Sequence, residues 1–176
     1  MPVTVEVLKS LIEEELATLS DRRVSAHIRG MLVEPYVLLR SWDYGEPDQR
    51  YPCWIVLRDE HSVAAIAYCE YGFGPRCPWG LVSSGNDEKH QSMGMDSGWF
   101  TTFLDAFFES VACVELPIWR VFAVEPDGKR TAVTLEGAWD TTWSRMFDLR
   151  RSHPTKRYDL GHSIAYGGRS IAGSTG

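Results

Sequence analysis

No stretch of this 176-residue chain approaches the run of about 18 apolar residues that a membrane-spanning helix requires. Nor is there an excess of positive charge: 18 lysines and arginines face 24 aspartates and glutamates, a net charge of −6. Nucleic acid and anionic membrane both demand clustered cations, so neither is an expected partner. Cysteine is sparse, with Cys53, Cys69, Cys77 and Cys113 and no C-x-x-C pair, which argues against a zinc ribbon or a thioredoxin-type redox site. Met1 to Leu19 has neither the basic start nor the continuous apolar core of a secretory signal. A cytoplasmic protein with reduced thiols is the expectation.

Catalytic signatures are equally thin. Gly72-Phe73-Gly74 superficially matches a phosphate-cradling loop, but Pro75 and Pro78 follow where a helix N-terminus is needed. Ser97-Gly98 lacks the G-x-S-x-G frame, because Met95 stands in place of its first glycine. A Cys–His couple would have to draw on Cys69 or Cys77 with His61 or His90. A metal would need His61, His90 and Asp87 or Glu88 to converge from flanks that read as exposed turns. No cofactor and no metal are expected.

What the chain does have is a core and a heavy aromatic load: 44% apolar residues and seven tryptophans, enough for one domain without covalent staples. Thr4 caps a first helix to about Leu19, whose Val5, Leu8, Leu11, Ile12 and Leu16 share a face. Glu13, Glu14 and Glu15 then read as its solvated side. A short helix from Arg22 to Gly30 follows, with Ser20 or Asp21 as its cap. From Pro35 the period changes to that of strands. Tyr36–Trp42, the hairpin Cys53–Leu57 and Val63–Tyr68, Leu81–Ser83, and a second hairpin, Ile118–Val124 with Arg130–Leu135, account for most of the sheet. Thr102 to Asp105 matches a capping box opening a helix to about Ala112. Asp140 caps a last helix with Trp139, Trp143, Met146 and Phe147 on one face.

The fold class that follows is α+β: a mostly antiparallel sheet of five or six strands packed with an N-terminal helix, a helix at about 102–112 and a C-terminal helix. The expected organisation is one domain over 1–154 and a polar, glycine-rich, mobile tail over 155–176. Charge is uneven. Residues 140–176 carry six cations and three carboxylates, net +3, which leaves −9 on the residues before them.

The stretch Tyr68 to Gly80 stands out, with four aromatics, three glycines and two prolines in thirteen residues. Tyr71, Phe73 and Trp79, stiffened by glycine and proline and anchored by Arg76, compose an aromatic recognition surface of the residue types that concentrate binding energy. The competing reading is a buried aromatic corner with Arg76 paired internally to Glu70 or Asp96. Between Gly94 and Gly98, Asp96 either caps the turn before Trp99 or faces Arg76 across a cleft. The functional expectation is a small protein-binding protein without catalysis, of the kind that includes immunity-type neutralisers of bacterial toxins. Its binding residues are Tyr71, Phe73, Arg76, Trp79, Asp96 and Trp99, and its partner is another protein. The alternative is a small-ligand binder or hydrolase-like enzyme with a pocket between residues 70–80 and 93–99. Carbohydrate binding would require at least two of Trp42, Trp79, Trp99 and Trp119 exposed on one face.

Overall fold

The computed structural model describes residues 3–71, 76–85, 92–93 and 98–168. The fold is α+β, and the chain divides into two compact units, residues 1–17 with 25–113 and residues 18–24 with 114–176. The division falls inside helix α2 (Arg22–Met31), which Asp21 opens by accepting from the Arg23 N–H at 2.9 Å.

In the first unit, α1 (Val5–Leu16) begins at Thr4, whose Oγ1 accepts from the Val7 N–H, and buries Leu8, Ile12 and Leu16 at four-residue spacing. The sheet is built from β1 (Leu32–Trp42), β2 (Tyr51–Arg58), β3 (Ala64–Tyr68), β4 (Trp79–Ser83), β5 (Ser92–Met93) and β6 (Trp99–Phe100). Its order is β5-β1-β2-β3-β4-β6, antiparallel except that β5 runs parallel to Ser41 and Trp42 of β1. Helix α3 (Phe103–Glu109) and a 3-10 turn (Val111–Cys113) close the unit.

Strand alternation assigns the side chains to two faces. One face carries Tyr51, Cys53, Ile55, Ala65, Ala67 and Cys69, all buried, with Leu38, Trp42, Val82 and Trp99 packed on them. The other carries Trp79, cross-strand to Tyr68 and packed edge-on against Tyr68 and against Phe103 of α3, at centroid separations of 5.0 and 5.4 Å.

Helix α3 starts differently from the capping box alone. Thr102 Oγ1 accepts from the Asp105 N–H at 3.1 Å, as the motif implies. The Phe103 and Leu104 N–H groups, however, donate to the two carboxylate oxygens of Glu15 on α1, at 3.0 and 2.9 Å. Glu15 is therefore a tertiary cap, not part of a solvated stripe.

The second unit holds an antiparallel three-stranded sheet in the order β8-β7-β9: β7 (Trp119–Val124), β8 (Arg130–Ala132) and β9 (Arg157–His162). The turn between β7 and β8 uses Gly128 at φ +85, a conformation that suits a residue without Cβ. Helix α4 (Trp139–Ser152) lays Thr142, Met146 and Leu149 inward, with Val121 and Tyr158 completing the core. Arg150 fastens the helix to β9 through two bonds to the Tyr158 carbonyl, at 2.6 and 3.1 Å.

The second hairpin thus belongs to its own sheet rather than to the larger one. The segment from Thr155, which reads as tail, contains β9. Of that strand Tyr158 and Leu160 pack with Val121 and Met146, and the rest of its composition is polar although its backbone is paired with β7 throughout.

Candidate interaction surface

The residues expected to form one aromatic patch part company at the sheet. In the β4–β3 ladder Trp79 stands opposite Tyr68, while in the β4–β6 ladder Trp99 stands opposite Gly80. Neighbours along a strand point to opposite faces, so the two indoles lie on opposite sides. Trp79, 3% exposed, is a core residue of the helix side. Trp99, half-buried, lies flat on Gly80: a Cβ there would fall 2.8 Å from the indole.

Tyr71 is 51% exposed and Arg76 is exposed, with no ion pair to Glu70 among the described residues. Phe73 and Asp96 lie outside the described residues, as do His90, Asp87 and Glu88; of the pocket expected between 70–80 and 93–99, residues 72–75 and 94–97 lie outside them. Tyr71 does have aromatic company, but of a different kind. Its ring packs on Tyr51 at 5.5 Å, Tyr51 meets Trp42 at 6.5 Å, and Trp42 meets Tyr44 at 5.7 Å. The row is exposed at its two ends and buried at Tyr51. Trp42 Nε1 is buried with no hydrogen-bond partner.

Carbohydrate binding required at least two of Trp42, Trp79, Trp99 and Trp119 exposed on one face, and none is: Trp79 and Trp119 are buried and Trp42 and Trp99 half-buried. The exposed indole is Trp143, on α4. There Trp139 and Trp143 stack at 4.9 Å with planes 14° apart, Phe147 meets Trp143 edge-on at 5.2 Å, and the Arg150 guanidinium sits 5.7 Å from the Phe147 centroid. Trp143 is 39% and Phe147 41% exposed.

The sequence places Met146 with these rings, but the helix turns it the other way. Four-residue steps from 139 to 143 to 147 follow one ridge of the helix, and Met146 falls about 100° round from Phe147, onto the ridge facing the sheet.

No protein-family model, curated protein or solved structure matches this chain. What it can do therefore rests on the groups themselves.

Of the two cysteines expected as nucleophiles, Cys69 is buried and Cys77 half-buried; Cys53 and Cys113 are buried as well. Cys113 donates to the carbonyls of Ser110 and Phe108 and burial pushes its thiol up to about 12. Cys53 is held in the thiol form by its hydrogen bond to the Cys69 side chain and by burial, while Arg40 pulls the opposite way. Cys77, half-buried, lies 3.9 Å from Thr101 Oγ1. His61 is exposed in the β2–β3 turn, where its N–H donates to Asp59. Among the described residues no group of three or more His, Cys, Asp or Glu converges as metal ligands would.

A half-open slot of about 160 Å³ lies between the starts of β3 and the 3-10 turn, lined chiefly by Leu57, Ala65, Ile66, Leu81, Val82 and Ala112. Its walls are mostly aliphatic, with Asp59, Glu109 and Ser110 the polar residues that border them.

Arg40 is the unusual charge. It is 2% exposed, its Nη2 donates to the carbonyls of Ser83 and Gly85 at 3.0 and 2.7 Å, and its Nε is buried with no partner. No carboxylate of the described residues pairs with it.

Proposed function

We propose that this chain is a protein-binding protein that works without catalysis. The single observation that carries the reading is the aromatic ladder Trp139–Trp143–Phe147 on the outer ridge of α4, with Arg150 at its end. Two stacked indoles left partly in water on a rigid helix have lost most of their conformational freedom already, so a partner that covers them gains area at low entropic cost. Tryptophan and arginine are also the side chains at which binding energy concentrates. The exposed Leu135, 86% accessible, and Val133 add apolar surface in the same unit. Tyr44 and Tyr71 offer a second, smaller aromatic edge in the first unit.

An immunity-type neutraliser of a bacterial toxin is the finer form of this proposal. It rests on small size, the acidic charge and the lack of a catalytic motif in the sequence.

The test compares captures from the native host by wild type, by Trp143→Ala/Phe147→Ala and by Tyr44→Ala/Tyr71→Ala, each shown to melt within a few degrees of wild type. A partner retained by wild type and lost from the α4 variant supports the proposal. Partners held equally by all three sink it, and loss from the tyrosine variant alone moves the surface to the first unit.

A further inference from the structure

Cys53 and Cys69 face one another across two strands, beside the buried guanidinium of Arg40. Tyr68 pairs with Trp54 on one side and Trp79 on the other, so the next residue, Cys69, stands opposite Cys53 and Pro78. The Cys69 N–H donates to the Pro78 carbonyl at 2.8 Å, which directs the backbone polar groups of Cys69 towards β4. Towards β2 the Cys53–Cys69 pair is then of the non-hydrogen-bonded kind, whose facing Cα atoms lie about 4.5 Å apart, side chains close. That spacing lies within the range of roughly 4.4–6.8 Å that a disulfide spans. Both side chains belong to one buried cluster, at 0% and 1% exposure.

We propose that Cys53 and Cys69 are an oxidisable pair that closes to a β2–β3 cross-strand disulfide, with Arg40 favouring Cys53 as the sulfur that reacts first. Arg40 sits opposite Tyr51 in the β1–β2 ladder, one same-face step from Cys53, and its Nε has no other partner. A guanidinium at that position favours negative charge on the Cys53 sulfur over the Cys69 sulfur one strand further away. Access comes from the strand end: Cys69 is the first residue past β3, two residues from exposed Tyr71, so local fraying opens the pair without global unfolding.

Cys53, a thiol in the closed fold, loses its proton when the strand end opens, and its sulfur attacks one oxygen of hydrogen peroxide. The O–O bond breaks, Cys53 becomes a sulfenic acid, and the departing hydroxide takes up that proton as water. The Cys69 sulfur then attacks the Cys53 sulfur. The S–O bond breaks and a second water leaves with the Cys69 proton. Two electrons pass from the pair to the peroxide, and two waters form per disulfide.

Peroxide treatment of the folded chain, followed by alkylation and tryptic mapping, tests this directly, because Cys53 and Cys69 fall in different peptides, Tyr51–Arg58 and Asp59–Arg76. The expected result is a dithiothreitol-reversible link between those peptides, slow to form, and a fall in alkylatable thiols from the four of the reduced chain to two. In Cys69→Ser a dimedone adduct collects on Cys53, at least tenfold faster than on Cys69 in Cys53→Ser. Full alkylation of Cys53 and Cys69 after Cys77 has been oxidised overturns the pairing, as does a link from either one to Cys77. A dimedone adduct favouring Cys69 overturns the role of Arg40. If a serine variant does not fold, the map of the wild-type chain decides alone.

Discussion

Replacing Glu15 with alanine should weaken the first unit far more than replacing either neighbouring glutamate. Its carboxylate accepts the first two N–H groups of α3, Phe103 and Leu104, at 3.0 and 2.9 Å, across a gap of nearly ninety residues in sequence. Hydrogen bonds to a charged acceptor contribute about 1.5–3 kcal/mol each, and the substitution leaves two part-buried donors without a partner. Part of this is offset. Burial disfavours the ionised carboxylate and raises its pKa, with the nearby Asp105 pushing the same way, so the bonds do not repay their full worth. A net loss of about 2 kcal/mol remains, at the top of the range for the removal of a helix cap. Glu13 and Glu14 are surface groups, paired with Arg29 and Ser10, and should cost no more than about 0.5 kcal/mol each. Urea unfolding of the three alanine variants, followed by tryptophan fluorescence, should show the midpoint of Glu15→Ala displaced alone, with an unchanged denaturant slope. If Glu15→Ala unfolds within about 0.5 kcal/mol of Glu14→Ala, the tertiary cap does not support α3 and the reasoning fails.

Gly80→Ala should destabilise by about 1–3 kcal/mol, because its Cβ meets the Trp99 indole at 2.8 Å and that ring is wedged against the sheet. Thermal unfolding with a loss of Trp99 near-ultraviolet signal would register it, and a neutral effect would mean that the indole swings aside freely. Arg76→Ala should leave the melting temperature nearly unchanged, whereas Trp79→Ala should cost about 3–5 kcal/mol, since one is exposed and the other fills the core beside Phe103. Equal effects in calorimetry would contradict that placement. His162 is pushed down to about 4 by burial and secondarily by Arg130, so it stays neutral in the fold while the unfolded chain takes up a proton near 6.5. The stability it contributes is present above about pH 6.5 and is lost as pH falls to about 4, up to about 3 kcal/mol. His162→Phe should flatten that limb of the stability profile, and an unchanged limb would assign the acid sensitivity elsewhere.

Some of this molecule is legible along the chain because the physics is local. Thr4 and Thr102 are caps in sequence and in structure, their hydroxyls needing a partner only three residues away. The β2–β3 and β7–β8 hairpins follow from apolar runs separated by turn chemistry, and Gly128 takes the positive φ that its Pro-Asp-Gly setting implies. The α+β class follows from the change in apolar period from helix to strand. The rest depended on which segments meet. Glu15 looks like one of three equivalent surface glutamates until α3 arrives to present two bare N–H groups. Trp79 and Trp99 look like parts of one patch until ladder register sends them to opposite faces. Trp143 and Phe147 look like one face with Met146 until the sheet takes Met146, with Thr142 and Leu149, onto the inner ridge of α4. Cys53 and Cys69 are sixteen positions apart in sequence and adjacent in space because β2 and β3 fix their pairing. Local preference determines which elements form, but the partner of each side chain is set by register and packing between segments distant in sequence, and these carry no local mark.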